Sequence, residues 1–155
     1  MDSTGQKPTT RSTRKRGKRN PVGVLATEAA EAMLDKKALD VTVMDMRAVS
    51  GVADVFVIAT GESELQIKAI ADAVTERIRE RLQERPWHVE GYEGRQWVLL
   101  DYVDLVVHIF STDKRQFYDL ERLWGDAPRE LIDGEADVAE AKLLQKLRAN
   151  GATSS

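Results

Sequence analysis

Two short apolar runs separated by an acidic turn stand near the middle of the chain. The first is Trp97–Asp101 and the second covers residues 105–110, which are apolar except for His108. Uninterrupted apolar runs of this length are typical of strands buried on both faces. The three residues between them are few enough to join the strands as an antiparallel hairpin. The pattern therefore predicts a hairpin in the core of a sheet.

A helix is predicted immediately after this hairpin. Asp113 can cap its first turn, and Gln116 three positions later completes a capping-box pattern. The spacing of Phe117, Leu120 and Trp124 puts these three side chains on the inner face of the helix.

A second strand–helix pair precedes the hairpin. Residues 54–60 form another apolar run, which ends at Gly61, and Ser63 with Gln66 repeats the capping pattern. The helix extends to about residue 85, because apolar residues recur at spacings of three and four. These are Ile67, Ile70, Ala71, Val74, Ile78 and Leu82.

The remaining elements are shorter. We predict a helix over residues 21–37 that begins at Asn20 and Pro21, a strand over 41–45, and a short edge strand over 88–90. The order of elements predicts an α/β (α+β) fold, with a mixed sheet of four or five strands flanked by helices.

The last segment, 129–155, is predicted to lie outside the folded body at 21–128. Val138, Leu143, Leu144 and Leu147 give it an amphipathic pattern. An isolated helix of this length is marginal in water, so it either docks on the body or stays free, and we favour a helix of low stability.

Composition fits one domain with tails. The chain has 155 residues, of which 42% are hydrophobic and 32% charged, and it has no cysteine. No disulfide framework is therefore available, and the apolar runs are too short for a membrane span or a secretory signal. These features predict a cytoplasmic protein without a membrane partner.

Charge is divided unevenly along the chain. Residues 1–20 carry seven lysines and arginines against one acidic residue, whereas the rest carries 16 basic and 25 acidic residues. We expect this tail to be disordered, because it lacks apolar side chains to bury. It is a solubilising extension, an organellar transit peptide or an RNA tether, and we favour the tether slightly. The candidate tether residues are Arg14, Lys15, Arg16, Lys18 and Arg19.

An enzymatic interpretation begins at residues 60–63. A strand, a glycine, a serine and a helix start could cradle a phosphate, and Asp101 with Asp104 could be offered as magnesium ligands. Glu62 and Glu64 would repel the phosphate, however, and the two aspartates flank a turn without sharing one strand face. We therefore interpret Ser63 as a helix cap and predict no catalytic residue.

Metal and cofactor sites are not predicted either. The chain has only two histidines, His88 and His108, and neither has a spacing typical of zinc ligands. His108 stands inside an apolar strand, so we expect a hydrogen-bonded core residue. We predict no cofactor.

A binding interpretation begins at the hairpin. Alternation puts Trp97, Leu99 and Asp101 on one face of the sheet and Tyr102 on the other. An aromatic strand start and a tyrosine between Asp101 and Asp104 resemble an interface hot spot. The alternative is that Trp97 is a core residue and the aspartates form the turn, and the pattern alone favours this alternative.

Three motifs in order resemble the ribosomal silencing factor family RsfS, also called the iojap family. They are VFVIATGESELQIKAIADAV, WVLLDYVDLVVHIF and RQFYDLERLWGDAP. The resemblance covers roughly residues 24–128 and implies a fold similar to the nucleotidyltransferases. One departure lies in the hairpin turn, where Val103 replaces the usual glycine; a β-branched residue is strained at positive φ.

The resemblance implies a function without catalysis. The chain would bind ribosomal protein fourteen of the large subunit and block the small subunit from joining, which represses translation. With the resemblance, the binding interpretation of the hairpin is favoured over the core interpretation. The predicted partner-binding residues are then Trp97, Leu99, Asp101, Tyr102 and Asp104. The family implies a homodimer, for which Phe117, Tyr118, Leu120 and Trp124 are candidates. A nucleotidyltransferase-like enzyme remains the alternative.

Overall fold

The computed structural model describes residues 20–51 and 53–153. Its helices are α1 (Val22–Asp35), α2 (Glu64–Leu82), α3 (Thr112–Tyr118), α4 (Leu120–Leu123), α5 (Glu135–Val138) and α6 (Lys142–Thr153). Its strands are β1 (Leu39–Asp45), β2 (Val55–Gly61), β3 (His88–Glu90), β4 (Trp97–Asp101), β5 (Leu105–Ser111) and β6 (Arg129–Ile132).

The strands form one mixed sheet in the order β3-β4-β5-β2-β1-β6. β2 and β5 pair in parallel at its centre, and the other neighbours are antiparallel. The predicted fold class, the β4–β5 hairpin and the edge strand β3 are confirmed. The described sheet has six strands, one more than the upper limit of the prediction, because β6 was not predicted.

One face of the sheet is covered by α1, α2 and α6. The buried apolar residues that α2 contributes are Ile67, Ile70, Ala71, Val74 and Ile78, as the spacing predicted. Val98 and Leu100 of β4 face the same layer, and Trp97 and Leu99 pack with the opposite face. The predicted alternation along β4 is therefore confirmed.

The segment after residue 128 belongs to this domain, which corrects the predicted boundary. β6 pairs with the outer edge of β1, from Val41 opposite Ile132 to Met44 opposite Arg129. Leu144 and Leu147 of α6 are fully buried in the helix-side core. Burial of two leucines contributes about 3–6 kcal/mol relative to exposure, so α6 is held by tertiary packing.

The start and the end of the helix predicted after the hairpin both differ from expectation. Ser111, not Asp113, caps α3, because its hydroxyl accepts a hydrogen bond from the Lys114 N–H at 3.2 Å. The helix ends at Asp119, whose φ of 45° is left-handed, and α4 starts anew. Phe117 lies before this break, in a helix without a buried residue, and its 75% exposure contradicts the predicted inner position.

Asn20 has a different role from the predicted cap. α1 begins after Pro21 without a side-chain cap, and the Asn20 amide donates to Leu82 O and to Glu84 Oε2, both at 2.9 Å. The start of α1 is thereby fastened to the end of α2.

Gly23 sets the distance between α1 and α6. A Cβ at this position would lie 2.5 Å from Arg148 N and 2.6 Å from Leu147 C, which are backbone atoms that cannot rotate away. Alanine normally stabilises a helix interior by about 1 kcal/mol over glycine. Here we expect the opposite sign: Gly23→Ala lowers the free energy of unfolding by about 2 kcal/mol, because the added methyl displaces α6.

Urea unfolding and limited trypsin digestion check this prediction. Displacement of α6 should speed cleavage after Lys142 and Lys146. Gly134→Ala is the control, because nothing lies within 4 Å of a Cβ there. Equal stability of Gly23→Ala and wild type would contradict the close packing.

Candidate partner-binding face

The second face of the sheet is covered only in part. A smaller apolar cluster lies beneath α4 and the segment around Ala127, and it includes Met44, Phe56, Ile58 and Phe110. At its border, Trp97, Leu99 and Asp101 of β4 are half-buried. We call these three residues, with His88 and Glu90 of β3, the open face. His88 and Glu90 belong to it because they pair with Asp101 and Leu99 across the strands.

Trp97 is the centre of an aromatic cluster. Its ring stacks on Phe110 with centroids 4.8 Å apart, and the ring of Tyr118 lies 4.5 Å away. The indole is therefore packed on two neighbours while part of it stays accessible. This geometry makes Trp97 a packed residue whose ring stays partly accessible, and its contact with a partner stays a prediction.

His108 lies next to Trp97 and is 4% exposed. Its Nδ1 accepts a hydrogen bond from Trp97 Nε1 at 3.1 Å, and Phe56 packs edge-on against its ring. Burial, with a smaller contribution from the charge of Arg115, lowers the pKa of His108 to about 3. The prediction of a hydrogen-bonded core histidine is confirmed, and the ring is neutral near pH 7.

Tyr102 requires a correction. It is 2% exposed and packs with the helix-side core, on the other side of the sheet from Trp97. Burial also raises the pKa of its phenol above the ordinary value. Tyr102 therefore lies on the face opposite Trp97, as alternation predicted, and its burial contradicts the predicted contact with a partner. The remaining predicted contacts are Trp97, Leu99, Asp101 and Asp104.

The acidic turn is tight. Asp104 N donates to Tyr102 O at 3.0 Å, and Val103 between them has a φ of 79°. Together these features make a γ-turn of the rare, strained type. Asp101 Oδ1 accepts from Val103 N at 2.7 Å, so this carboxylate stabilises the turn while remaining half-exposed.

Val103 therefore carries the strain that the sequence predicted. Its side chain is nearly buried, so a change to glycine both relieves strain and removes apolar contacts. Comparison of Val103→Gly with Val103→Ala isolates the backbone effect, because both lose the valine contacts. We expect the free energy of unfolding of Val103→Gly to exceed that of Val103→Ala by about 1 kcal/mol, which raises its urea midpoint. At ordinary strand positions the alanine variant is the more stable one. A more stable alanine variant would contradict a strained turn.

The dimer candidates separate into buried and exposed residues. Leu120 is buried in the smaller cluster and is therefore not available to a second chain without rearrangement. Trp124 is partly buried there, whereas Phe117 and Tyr118 are exposed. Because Tyr118 contacts Trp97, the exposed candidates continue the surface of the open face.

Arg115 fixes α3 and α4 on the sheet, a role that the sequence analysis missed. Its guanidinium donates to Thr60 Oγ1 at 3.0 Å, to Asp40 O at 3.0 Å and to Thr42 Oγ1 at 3.2 Å. It also pairs with Glu121. These bonds join β1, β2, α3 and α4, so Arg115 positions Tyr118 beside Trp97. No local pattern predicts this role, because most of the partners lie far from Arg115 along the chain.

The enzymatic alternative gains no geometric support in the described residues. Ser63 Oγ accepts from Gln66 N at 3.0 Å, which confirms that Ser63 is a helix cap. No group of three or more histidine or acidic residues that could hold a metal occurs in the described part of the chain. The carboxylate of Asp101 is engaged in the turn.

Two further features concern the tail and membranes. The candidate tether residues Arg14, Lys15, Arg16, Lys18 and Arg19 lie outside the described residues, so the tail stays a prediction. Within the described residues, no helix has the length and apolar character needed to cross a bilayer.

Comparison with known proteins identifies relatives over most of the chain. The family model described as "Ribosomal silencing factor during starvation" matches residues 19–154, which include β6 and α6. The chain is 44% identical to the ribosomal silencing factor RsfS of Halalkalibacterium halodurans over 68% of this chain and 90% of that protein. It is 43% identical to RsfS of Bacillus subtilis over 68% of this chain and 88% of that protein.

A solved structure agrees with this relationship. A Chromobacterium violaceum protein has a TM-score of 0.64 and 32% identity, covering 75% of this chain and 96% of its own. The sequence motifs, the mixed sheet and these matches lead to one conclusion: the chain belongs to the RsfS family of ribosomal silencing factors, which are regulators of translation.

Proposed function

We propose that this chain binds the large ribosomal subunit through ribosomal protein fourteen and sterically prevents the small subunit from joining. The protein then represses translation by its affinity for the large subunit and by the volume it occupies there, without catalysis. The observation that carries the proposal is the half-buried Trp97 on the open face, held by aromatic neighbours and bordered by carboxylates. Large amphipathic rings in such settings dominate the binding energy of many interfaces.

The negative charge at and beside the open face favours a basic partner. Glu90 of β3 and Asp101 of β4 lie on the open face, Asp104 lies beside it in the acidic turn, and the chain after residue 20 has a net negative charge. Acidic groups at an interface rim raise the rate of encounter with a basic protein and reject acidic ones. A ribosomal protein that also binds RNA fits this requirement.

The remaining partner assignments are part of the same proposal. Phe117, Tyr118 and Trp124 are offered as contacts of a homodimer, and the basic tail as a salt-sensitive contact with ribosomal RNA. The site of action is the cytoplasm.

Co-sedimentation with purified large subunits tests the proposal. We expect the chain to pellet with large subunits, and an excess of isolated ribosomal protein fourteen should compete for it. Failure to pellet would contradict the proposal. The enzymatic alternative is tested in parallel, since nucleotide with magnesium should raise the melting temperature only if a nucleotide site exists.

A further inference from the structure

The orientation of Trp97 depends on a specific polar contact beneath the open face. On adjacent strands Trp97 pairs with Phe110 and Leu99 pairs with His108, so Trp97 and His108 are diagonal neighbours. The 3.1 Å hydrogen bond from Trp97 Nε1 to His108 Nδ1 joins them. Because an indole N–H can only donate, Nδ1 is the unprotonated nitrogen and the proton of the ring is on Nε2.

We propose that His108 is a positioning residue for partner binding: its neutral imidazole fixes the indole of Trp97 in the orientation that the partner contacts. The inference rests on the proposed function and deepens it. His108 touches Trp97 and not the partner, since it is almost completely buried.

Packing alone would not select this orientation. Phe110 stacks on the indole ring and Tyr118 packs against it at a tilt of 46°, and neither contact depends on which way the N–H edge points. The hydrogen bond distinguishes this orientation from one flipped by half a turn, because the flip moves Nε1 away from Nδ1. The bond therefore presents one defined edge of the indole to the outside.

The placement of a histidine here is also unfavourable for stability by itself. Its neighbours Phe56 and Phe110 are apolar, and Nε2 has no hydrogen-bond partner among the described residues. A buried polar atom without a partner lowers stability. An apolar residue of similar size removes that cost, but it also leaves the Trp97 N–H without its acceptor. The presence of a histidine at this buried position is explained if its Nδ1 is needed to orient Trp97.

Four variants test the inference: His108→Leu, His108→Asn, Trp97→Phe and the double variant His108→Leu with Trp97→Phe. Leucine removes the acceptor, asparagine keeps a carbonyl acceptor near the position of Nδ1, and Trp97→Phe removes the donor. Each is measured for affinity to purified large subunits and for the urea midpoint. The indole ¹⁵N–¹H resonance of Trp97 is assigned by its loss in Trp97→Phe and is followed in the two single His108 variants.

We expect His108→Leu to weaken binding about three- to tenfold, because the indole must be ordered during association. Its urea midpoint should change little, because removal of the unpaired Nε2 offsets the loss of the acceptor for the Trp97 N–H, and the Trp97 indole resonance should move. His108→Asn should restore part of the affinity. In the Trp97→Phe background, His108→Leu should weaken binding no further, since it acts through the indole.

Several results would overturn the inference. Equal binding by wild type and His108→Leu would contradict the positioning role alone, as would additive losses in the double variant. Loss of folding in His108→Leu would show that the histidine is needed for stability instead. Absence of binding by wild type would contradict the proposed function and this role with it, even if the indole resonance moves.

Discussion

Replacement of Trp97 by alanine should weaken binding to the large ribosomal subunit by about 2 kcal/mol or more, roughly thirtyfold. The indole is the largest accessible side chain among the predicted contacts, and its truncation also leaves Phe110 and Tyr118 without their stacking partner. Co-sedimentation over a range of large-subunit concentrations measures the loss.

The control for this variant is Leu65→Ala. Leu65 is 74% exposed on α2, which packs on the opposite side of the sheet, so its loss should leave affinity unchanged. Far-UV circular dichroism of Trp97→Ala should remain native. An unfolded variant would support the core interpretation of Trp97, and native folding with unchanged affinity would remove it from the site.

Gly91→Ala should destabilise the protein by about 3 kcal/mol or more. Gly91 follows β3 with a φ of 90°, and a Cβ there would lie 1.9 Å from the carbonyl oxygen of Trp97. Relief of the clash requires the backbone between β3 and β4 to move, so the edge strand should separate from the sheet. Partner binding should weaken as well, because Trp97 begins β4.

Gly94→Ala is the matched control in the same loop. Nothing lies within 4 Å of a Cβ at Gly94, so the free energy of unfolding should change by less than about 0.5 kcal/mol. Thermal unfolding followed by circular dichroism compares the two. A Gly91→Ala protein as stable as the Gly94→Ala control would contradict the observed turn.

The parts of the fold that the sequence predicted are those with strong periodicity. The long helix α2, its Ser63 cap and the β4–β5 hairpin follow from apolar spacing and local capping chemistry, which act within a few residues. The two faces of β4 followed in the same way, because side chains alternate along a strand.

The parts that were missed depend on contacts between distant residues. β6 is only four residues long, and its strand state is stabilised by pairing with β1 more than by its own sequence. α6 appeared marginal because its apolar face was considered without α1. The break at Asp119 was missed because a left-handed residue is rare outside glycine.

The candidate site was also predicted only in part, because some of its contacts join residues that are distant in sequence. Trp97, Leu99 and Asp101 follow from alternation, which also put Tyr102 on the opposite face. Tyr102 was included because a tyrosine between two carboxylates resembles an interface hot spot, and its burial could not be seen from the sequence. The contributions of Tyr118, His108 and Arg115 around Trp97 come from other elements of the fold.

Subunit joining followed by light scattering tests the central claim most directly. Purified small and large subunits are mixed with magnesium after the large subunits have been incubated with wild-type protein or with Trp97→Ala. We predict that wild type prevents the rise in scattering at concentrations that saturate the large subunit, and that Trp97→Ala needs roughly thirtyfold more protein. Normal joining in the presence of saturating wild-type protein would contradict the account.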